Sequence, residues 1–479
     1  MKVKMILPAL TEAVSPFWRP IKYSLFPPLG LATLAGYLDI NDEIDLQDEH
    51  VEKLNLNDNP DLVVIQIYIT NAYKAYKIAD HYRKNGTYVI LGGLHATSLP
   101  NEAKMHADSV FIGPGEDTFP LFLKDFKNGY PKPFYHSKKR TLKDAPLPRR
   151  DLIKYQLYLV PNSIVVSRGC PHICDFCYKE SFFKGGRSFY TQEVSYALKE
   201  IDSLPGRHLF FLDDHLFGNI KFASDLFDGM AGMGRIWQAA GTVKSVLNKS
   251  LLKKAVDCGL KSLFIGFESL NINNLWGHSK YQNIRHNYEE AIKQLHDNGV
   301  MINGSFVFGM DNDDVNVFEK TVEWAVNNGI ETATFHILTP YPGTRLFNRL
   351  SMQDRILIYS WDKYDTRHTV FKPAKMTEKE LEEGYLKAYN YFYKWKSIIK
   401  SVMVKESISE MLKHLIYTGG WKKFEFLWGS IIKLKMVNKM LPLLELLLSN
   451  KKSKRYKHKI INKNGKEQRL IFAKNIVKH

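Results

Sequence analysis

Two parallel-sheet units in tandem followed by a helical basic region are what this 479-residue sequence predicts, on three observations. Short apolar runs alternate with stretches of helical periodicity from the N-terminus to about residue 350, the pattern of repeated strand–helix units. Glycine turns stand directly after several of these runs, where a backbone can approach a ligand closely. Positive charge gathers at one end: residues 394–479 hold 21 Lys and Arg against 5 Asp and Glu, which is +16 of the net +17. The expected fold class is therefore α/β, with a doubly wound unit over 1–130, a linker over 131–159, a partial (β/α)6 barrel over 160–350 and a mostly helical basic region over 351–479.

In the first unit, strand-like Lys4–Pro8, Leu62–Tyr68, Tyr88–Leu91 and Val110–Ile112 alternate with helical Leu29–Leu38, Ala72–Lys84, Asn101–His106 and Phe119–Phe126. Gly92-Gly93 and Gly113-Pro114-Gly115 follow two of those strands and mark a crevice beyond their carboxyl ends. Pro131, Pro133, Pro146 and Pro148 punctuate the aperiodic stretch that reads as a linker. The second series has strands at Ile164–Ser167, Leu209–Leu212, Ile236–Ala239, Ser262–Gly266, Asn303–Phe308 and Thr332–Ile337. Hydrophobic residues at 44% and aromatics at 13% exclude extensive disorder.

Only four cysteines occur, and three lie within eight residues, which argues against a disulfide framework and for a reducing compartment. Met1–Leu10 reads as a strand rather than a signal peptide, and no run of about 18 apolar residues is present. A cytoplasmic protein is expected, with peripheral contact at the inner face of a membrane through the basic end. There Trp421, Phe424, Leu427, Trp428, Ile431 and Leu434 recur at helical spacing among lysines, which suits either a helix at an anionic lipid surface or a packed cap with a basic rim.

The chemistry concentrates in Ser167-Arg-Gly-Cys170-Pro-His-Ile-Cys174-Asp-Phe-Cys177-Tyr178, which follows a strand. Three thiolates at C-x3-C-x2-C spacing suit one face of a cubane iron–sulfur cluster and leave one iron open. A zinc loop is the competing reading, but zinc sites pair C-x2-C or Cys/His sets, and His172 lies too tightly inside the loop to be an obvious fourth ligand. Cys258 sits on a helical pattern and reads as a packed core thiol.

Together with Pro27-Pro-Leu-Gly-Leu-Ala32, Gly92-Gly-Leu-His95-Ala-Thr97, Gly113-Pro-Gly-Glu116, Pro148-Arg-Arg-Asp151, Phe211-Leu-Asp-Asp214, Gly266-Phe-Glu-Ser269 and Thr339-Pro-Tyr-Pro-Gly-Thr344, this loop makes the sequence resemble the cobalamin-binding members of the radical S-adenosylmethionine (SAM) superfamily. The resemblance implies a Rossmann-like cobalamin-binding domain and a radical SAM barrel. It implies a [4Fe–4S] cluster on Cys170, Cys174 and Cys177, with SAM across the barrel strands' carboxyl ends. Asp213, Asp214, Glu268 and Ser269 become candidates for SAM's amino group and ribose, and Phe308, Gly309, Pro340 and Gly343 for its adenine wall. Carboxylates suit those donors through charge-assisted hydrogen bonds, although Asp213 and Asp214 also read as caps of a following helix. Gly92, Gly93, His95, Gly113, Gly115 and Glu116 fall near the implied corrinoid crevice. No D-x-H-x-x-G sequence is present, so a histidine below cobalt is not expected.

The implied activity is methyl transfer to an unactivated carbon of a lipid or other small molecule, with an electron donor such as flavodoxin or ferredoxin. Ring formation or rearrangement without methyl transfer is the alternative within the family. A nucleic-acid-binding or redox-sensing iron–sulfur protein is the alternative outside it, although no stretch reads as a dedicated nucleic-acid module.

Overall fold

The structure, a computed structural model, describes residues 1–13 and 26–420; the aromatic and lysine-rich stretch beyond residue 420, on which the lipid-surface expectation rests, lies outside the described residues. Strands β1 (Lys2–Leu7), β2 (Glu43–Asp48), β3 (Leu62–Gln66), β4 (Tyr88–Gly92), β5 (Ser109–Ile112) and β6 (Phe134–His136) form one parallel sheet in the order β2-β1-β3-β4-β5-β6. Alternate side chains of the same strands go to opposite faces, as the pleat requires. Val63, Ile65, Val89 and Leu91 pack on Ala72, Ala75, Ala79 and Tyr82 of the helix Ala72–Lys84. Val3, Met5, Val64 and Ile90 pack on the helices Leu29–Ala35 and Phe119–Lys127. With both faces covered, the central strands β3 and β4 are almost wholly apolar, which made them readable, while β1 carries a buried Lys4 among its apolar residues.

Two strands escaped that reading. The segment β2 is Glu-Ile-Asp-Leu-Gln-Asp, exposed at its start, and β6 lies in the stretch expected to be a linker. Both are sheet edges, where polar and charged residues are tolerated and the apolar signal fades. The remainder of that stretch ties the two sheets together. Tyr158 donates to Asp48 at 3.0 Å, and Arg150 donates to the Ser163 carbonyl and to Glu200, each at 2.7 Å.

The second sheet is an open six-stranded parallel arc, ordered β14-β13-β12-β11-β10-β7. Its strands are β7 (Ser163–Ile164), β10 (His208–Phe211), β11 (Ile236–Gly241), β12 (Leu260–Glu268), β13 (Met301–Phe308) and β14 (Thr332–Ile337), with helices packed outside. Between β7 and β10 an antiparallel hairpin, β8 (Ser167–Gly169) with β9 (Phe189–Thr191), carries the cysteine segment. Cys258 is buried in the barrel core and donates weakly to the Ala255 carbonyl, a packed thiol as expected.

At the amino ends of the barrel strands, Glu331 is buried between Lys405 (2.5 Å) and His296 (3.5 Å), and it accepts the Ile302 N–H at 2.8 Å. Burial works against its charge, but His296 and Lys405 together hold it well below the ordinary carboxylate range. The network clamps the helices Trp395–Val402 and Ile408–Thr418 onto the barrel, aided by Ser401 and Thr418 donating to the carbonyls of Ile330 and Glu331. Lys405→Met is expected to cost about 3 kcal/mol, since it strands a buried charge. Glu331's depressed pKa makes that stabilisation fully present above its ordinary value of 4.5 and lost as pH falls through the folded value. Guanidinium denaturation should therefore separate the variant from wild type at neutral pH and bring the two together on acidification. Among the described residues, no helix is long and apolar enough to cross a membrane.

Candidate active site

The cysteine segment is shaped by its first glycine. Gly169 has φ +77°, and a methyl group there would lie 2.0 Å from the Ser188 carbonyl oxygen. This lets Cys170 N–H reach that carbonyl at 2.9 Å and turns the chain out of the hairpin. Further along, Asp175 is held by His278 (2.8 Å) and Arg349 (3.4 Å), and Arg345 pairs with Glu180 while donating to the Ile173 carbonyl. The loop is thus fixed from both sides before any cofactor is considered.

All four cysteines are free thiols, and among the described residues no three His, Cys, Asp or Glu side chains converge closely enough to hold a single metal ion. Burial pushes the Cys177 thiol up to about 11 and raises Cys170 as well. Two cations oppose this: Lys179 faces Cys170 and Cys177, and Lys280 faces Cys174. Gln282 also donates to Cys174 Sγ at 3.4 Å. Three thiols backed by buried positive charge and an amide donor fit a thiolate-held cluster of net negative charge.

The residues anticipated around SAM lie at the carboxyl ends of β10, β12, β13 and β14, but their side chains are committed differently. Asp213, 3% exposed, accepts from Val166 N–H (3.1 Å) and from both Ser167 N–H and Ser167 Oγ–H (2.5 Å), so it braces the start of the hairpin. Burial pushes it up to about 7. Asp214 accepts from Gly169 N–H (3.1 Å) and Tyr178 O–H (3.1 Å) and pairs with Lys179 (3.2 Å), joining the strand end to the cysteine segment. Neither caps a helix.

Glu268, at φ +64° on a bulge of β12, pairs with Lys280 at 2.6 Å. Buried Ser269 accepts from Asn271 N–H and Asn274 Nδ2. The Phe308 ring is buried between Phe318 and Phe335, so it lines no open wall, and its carbonyl accepts from Leu338 N–H. Gly309 (φ +92°) lets the chain pass Leu381, Pro340 is buried, and Gly343 lies against Ser181 just after the cysteines.

In the first sheet the strand order reverses between β1 and β3, which places a crevice at their carboxyl ends. Tyr68 lies there, its hydroxyl accepting from Gln66 at 3.0 Å. Gly92 ends β4. Gly93 (φ +109°) has no room for a side chain, since a methyl would lie 2.7 Å from the Ile67 carbonyl oxygen. Gly113 (φ +82°) lies against Ser137 and the Phe182 carbonyl, and Gly115 against Leu34. Bare backbone at successive strand ends fits a large flat ligand. His95 is instead turned inward, 1% exposed, paired with Glu102 at 3.0 Å and edge-on to Trp361. Glu116 pairs with Arg168 of β8 at 2.7 Å, joining the glycine turn to the residue two positions before Cys170.

Sequence reasoning found the thiols, the glycine turns and the strand-end acids, but missed Lys179, Lys280, Gln282 and Arg168. Lys179, two residues after the last cysteine, was within reach of the question of what neutralises three thiolates. Lys280 and Gln282 come from an excursion after β12 that carries no periodic signal.

Comparison with known proteins agrees with this construction. The B12 binding domain family matches residues 23–123, and the Radical SAM superfamily matches residues 164–340. The chain is 33% identical over 359 residues to Bacteriochlorophyllide d C-12(1)-methyltransferase of Chlorobaculum tepidum, covering 72% of this chain and 77% of the relative. It is 28% identical to Bacteriochlorophyllide d C-8(2)-methyltransferase of the same organism, covering 78% and 86%. The solved structure of the cobalamin-dependent SAM radical enzyme OxsB, with aqua-cobalamin and SAM bound, superposes with TM-score 0.63 at 15% identity, covering 93% of this chain and 75% of that one. The chain belongs to the cobalamin-binding enzymes of the radical SAM superfamily, and its cofactors are a [4Fe–4S] cluster, SAM and cobalamin.

Proposed function

We propose that this enzyme transfers a methyl group to an unactivated carbon of a mostly apolar small molecule of the tetrapyrrole class. The observation that carries the reading is the union of the two halves: a three-thiol loop backed by Lys179 and Lys280, tied by the Arg168–Glu116 pair to a crevice of bare glycine turns. When bound, the reduced cluster with SAM supplies a hydrogen-abstracting radical and cobalamin supplies the methyl group. The 33% match to a bacteriochlorophyllide methyltransferase supports the substrate class. So do half-exposed Trp276 and Tyr281, whose rings lie 5.4 Å apart on the excursion that also brings Gln282 to Cys174.

The residues divide the work by geometry. Cys170, Cys174 and Cys177 would hold the cluster. Glu268, whose Oε1 faces Lys280, keeps Oε2 for SAM's amino group or ribose, with Ser269 beside it, while Asp214, engaged through both oxygens by Gly169, Tyr178 and Lys179, would border the same site. Asp213 keeps the hairpin in place, and Gly309, Pro340 and Gly343 would border SAM's adenine at the ends of β13 and β14. The backbones of Gly92, Gly93, Gly113 and Gly115 would receive the corrinoid, and a one-electron donor such as flavodoxin or ferredoxin supplies reducing equivalents.

Because His95 is committed to Glu102, cobalamin is expected to bind without a protein histidine on cobalt. The paramagnetic spectrum of the reduced corrinoid should lack splitting from an imidazole nitrogen, and such splitting would contradict the placement. The function itself is tested by mass spectrometry of tetrapyrroles incubated with the anaerobically reconstituted enzyme. A gain of one methylene unit is expected; conversion without that gain would favour ring formation or rearrangement.

A further inference from the structure

We infer that the enzyme receives its electrons from a small acidic one-electron carrier protein docked on an exposed cationic patch built from Lys138, Lys139, Lys143, Lys184 and Arg187. The inference rests on the radical SAM reading and assigns the partner surface that reading requires.

The patch joins two segments distant in sequence. Arg140, 2% exposed, reaches across and donates to the carbonyls of Phe183, Lys184 (2.7 Å) and Arg187 (3.1 Å), fixing the 138–143 turn against the 183–187 turn. Beneath them Leu142, Ala145, Phe183 and Tyr190 form a small separate core. The cations are thus displayed on a firm base. All five are exposed, and none has a hydrogen-bond or ion-pair partner for its side chain among the described residues.

The nearby acids do not offset them. Asp117 is taken up by the Ser137 hydroxyl at 2.6 Å and by the backbone N–H groups of Lys138 and Lys139, and Glu116 by Arg168. Only exposed Asp144 remains within the turn. Clustered like charges left unpaired raise the encounter rate of an oppositely charged partner by about 10- to 1,000-fold at low salt.

Position decides what kind of partner this is. Arg187 adjoins Ser188, whose carbonyl accepts the Cys170 N–H at 2.9 Å. A protein seated on the patch is therefore one residue and one hydrogen bond from a candidate cluster ligand. In the step served, one electron leaves the reduced carrier, which ends oxidised by one electron, and passes to the cluster beside Cys170; no bond to a proton or leaving group changes.

The test compares the full-length holoenzyme with a patch variant, Lys139→Glu with Arg187→Glu, and with a tail variant, Lys454→Glu with Lys457→Glu. Flavodoxin is the probe: its binding is measured by calorimetry, and its rate of cluster reduction by stopped-flow absorbance. Photoreduced 5-deazariboflavin, small and uncharged, serves as the reductant that needs no docking surface. The patch variant is expected to bind flavodoxin and accept its electron at least about tenfold less well at low salt, with a flatter salt dependence. Its rate with deazariboflavin should stay at the wild-type value, and the tail variant should keep its electron transfer.

Unchanged flavodoxin binding and reduction in the patch variant would overturn the assignment. Loss in the tail variant instead, or equal slowing with both reductants, would overturn it too. Absence of SAM cleavage by the wild type with deazariboflavin would sink the radical SAM reading itself, an arm read independently of binding.

Discussion

Replacing any one of Cys170, Cys174 and Cys177 with alanine is expected to reduce SAM cleavage to background and to strip iron and sulfide from the protein, whereas Cys258→Ala keeps both. The first three lie on one loop whose shape is set by Gly169, Asp214 and Asp175, so removing a thiol does not rebuild the loop around the other two. Lys179 and Lys280 would remain buried next to fewer negative charges, which compounds the loss. Cys258 is walled into the barrel core behind Trp237, whose indole donates to its carbonyl at 3.2 Å, and faces none of this machinery. Iron and acid-labile sulfide analysis with quantification of 5′-deoxyadenosine checks all four variants together. Equal loss of iron in Cys258→Ala would undo the assignment.

Glu116→Ala is expected to cost about 3–5 kcal/mol and to loosen the hold of the first sheet on the barrel. Burial works against the Arg168 charge, and Glu116 at 2.7 Å more than restores it, so deleting the carboxylate leaves a mostly buried guanidinium without its nearest countercharge. Arg168 lies two residues before Cys170, so the damage reaches both halves of the site. Denaturant titration should show the loss of stability, and corrinoid retention on gel filtration should fall with it. Glu116→Gln, which keeps a hydrogen-bond acceptor, should lose less of each. Wild-type stability and corrinoid retention in Glu116→Ala would mean that the pair does not hold the halves together.

How much of this could be read in the sequence follows from how each feature is encoded. Buried parallel strands announce themselves because both faces are apolar: β3 is Leu-Val-Val-Ile-Gln and β4 Tyr-Val-Ile-Leu-Gly. Edge strands β2 and β6 and the short hairpin of β8 and β9 do not, since half their residues answer to solvent or to the loop they support. The thiols were legible because three cysteines at close spacing have few other uses.

Roles of single polar residues were less legible, because a strand-end acid can face a ligand, brace a backbone or pair across sheets with the same local sequence around it. Asp213 and Asp214 are neighbours, yet one braces Val166 and Ser167 while the other joins Gly169, Tyr178 and Lys179. His95 stands in a glycine-rich turn that points to a ligand, yet its ring is turned into the core by Glu102, a partner visible only once the fold is formed. Arg168 and Glu116 lie 52 positions apart, a separation at which sequence alone offers no pairing signal.

The most direct measurement is the cofactor content and product ratio of the anaerobically purified enzyme supplied with cobalamin, SAM, a reductant and a tetrapyrrole acceptor. Expected are one [4Fe–4S] cluster and one corrinoid bound per chain, with 5′-deoxyadenosine, S-adenosylhomocysteine and methylated product rising together. Product formation undiminished without corrinoid, or a chain that binds iron but leaves SAM intact under reduction, would contradict it.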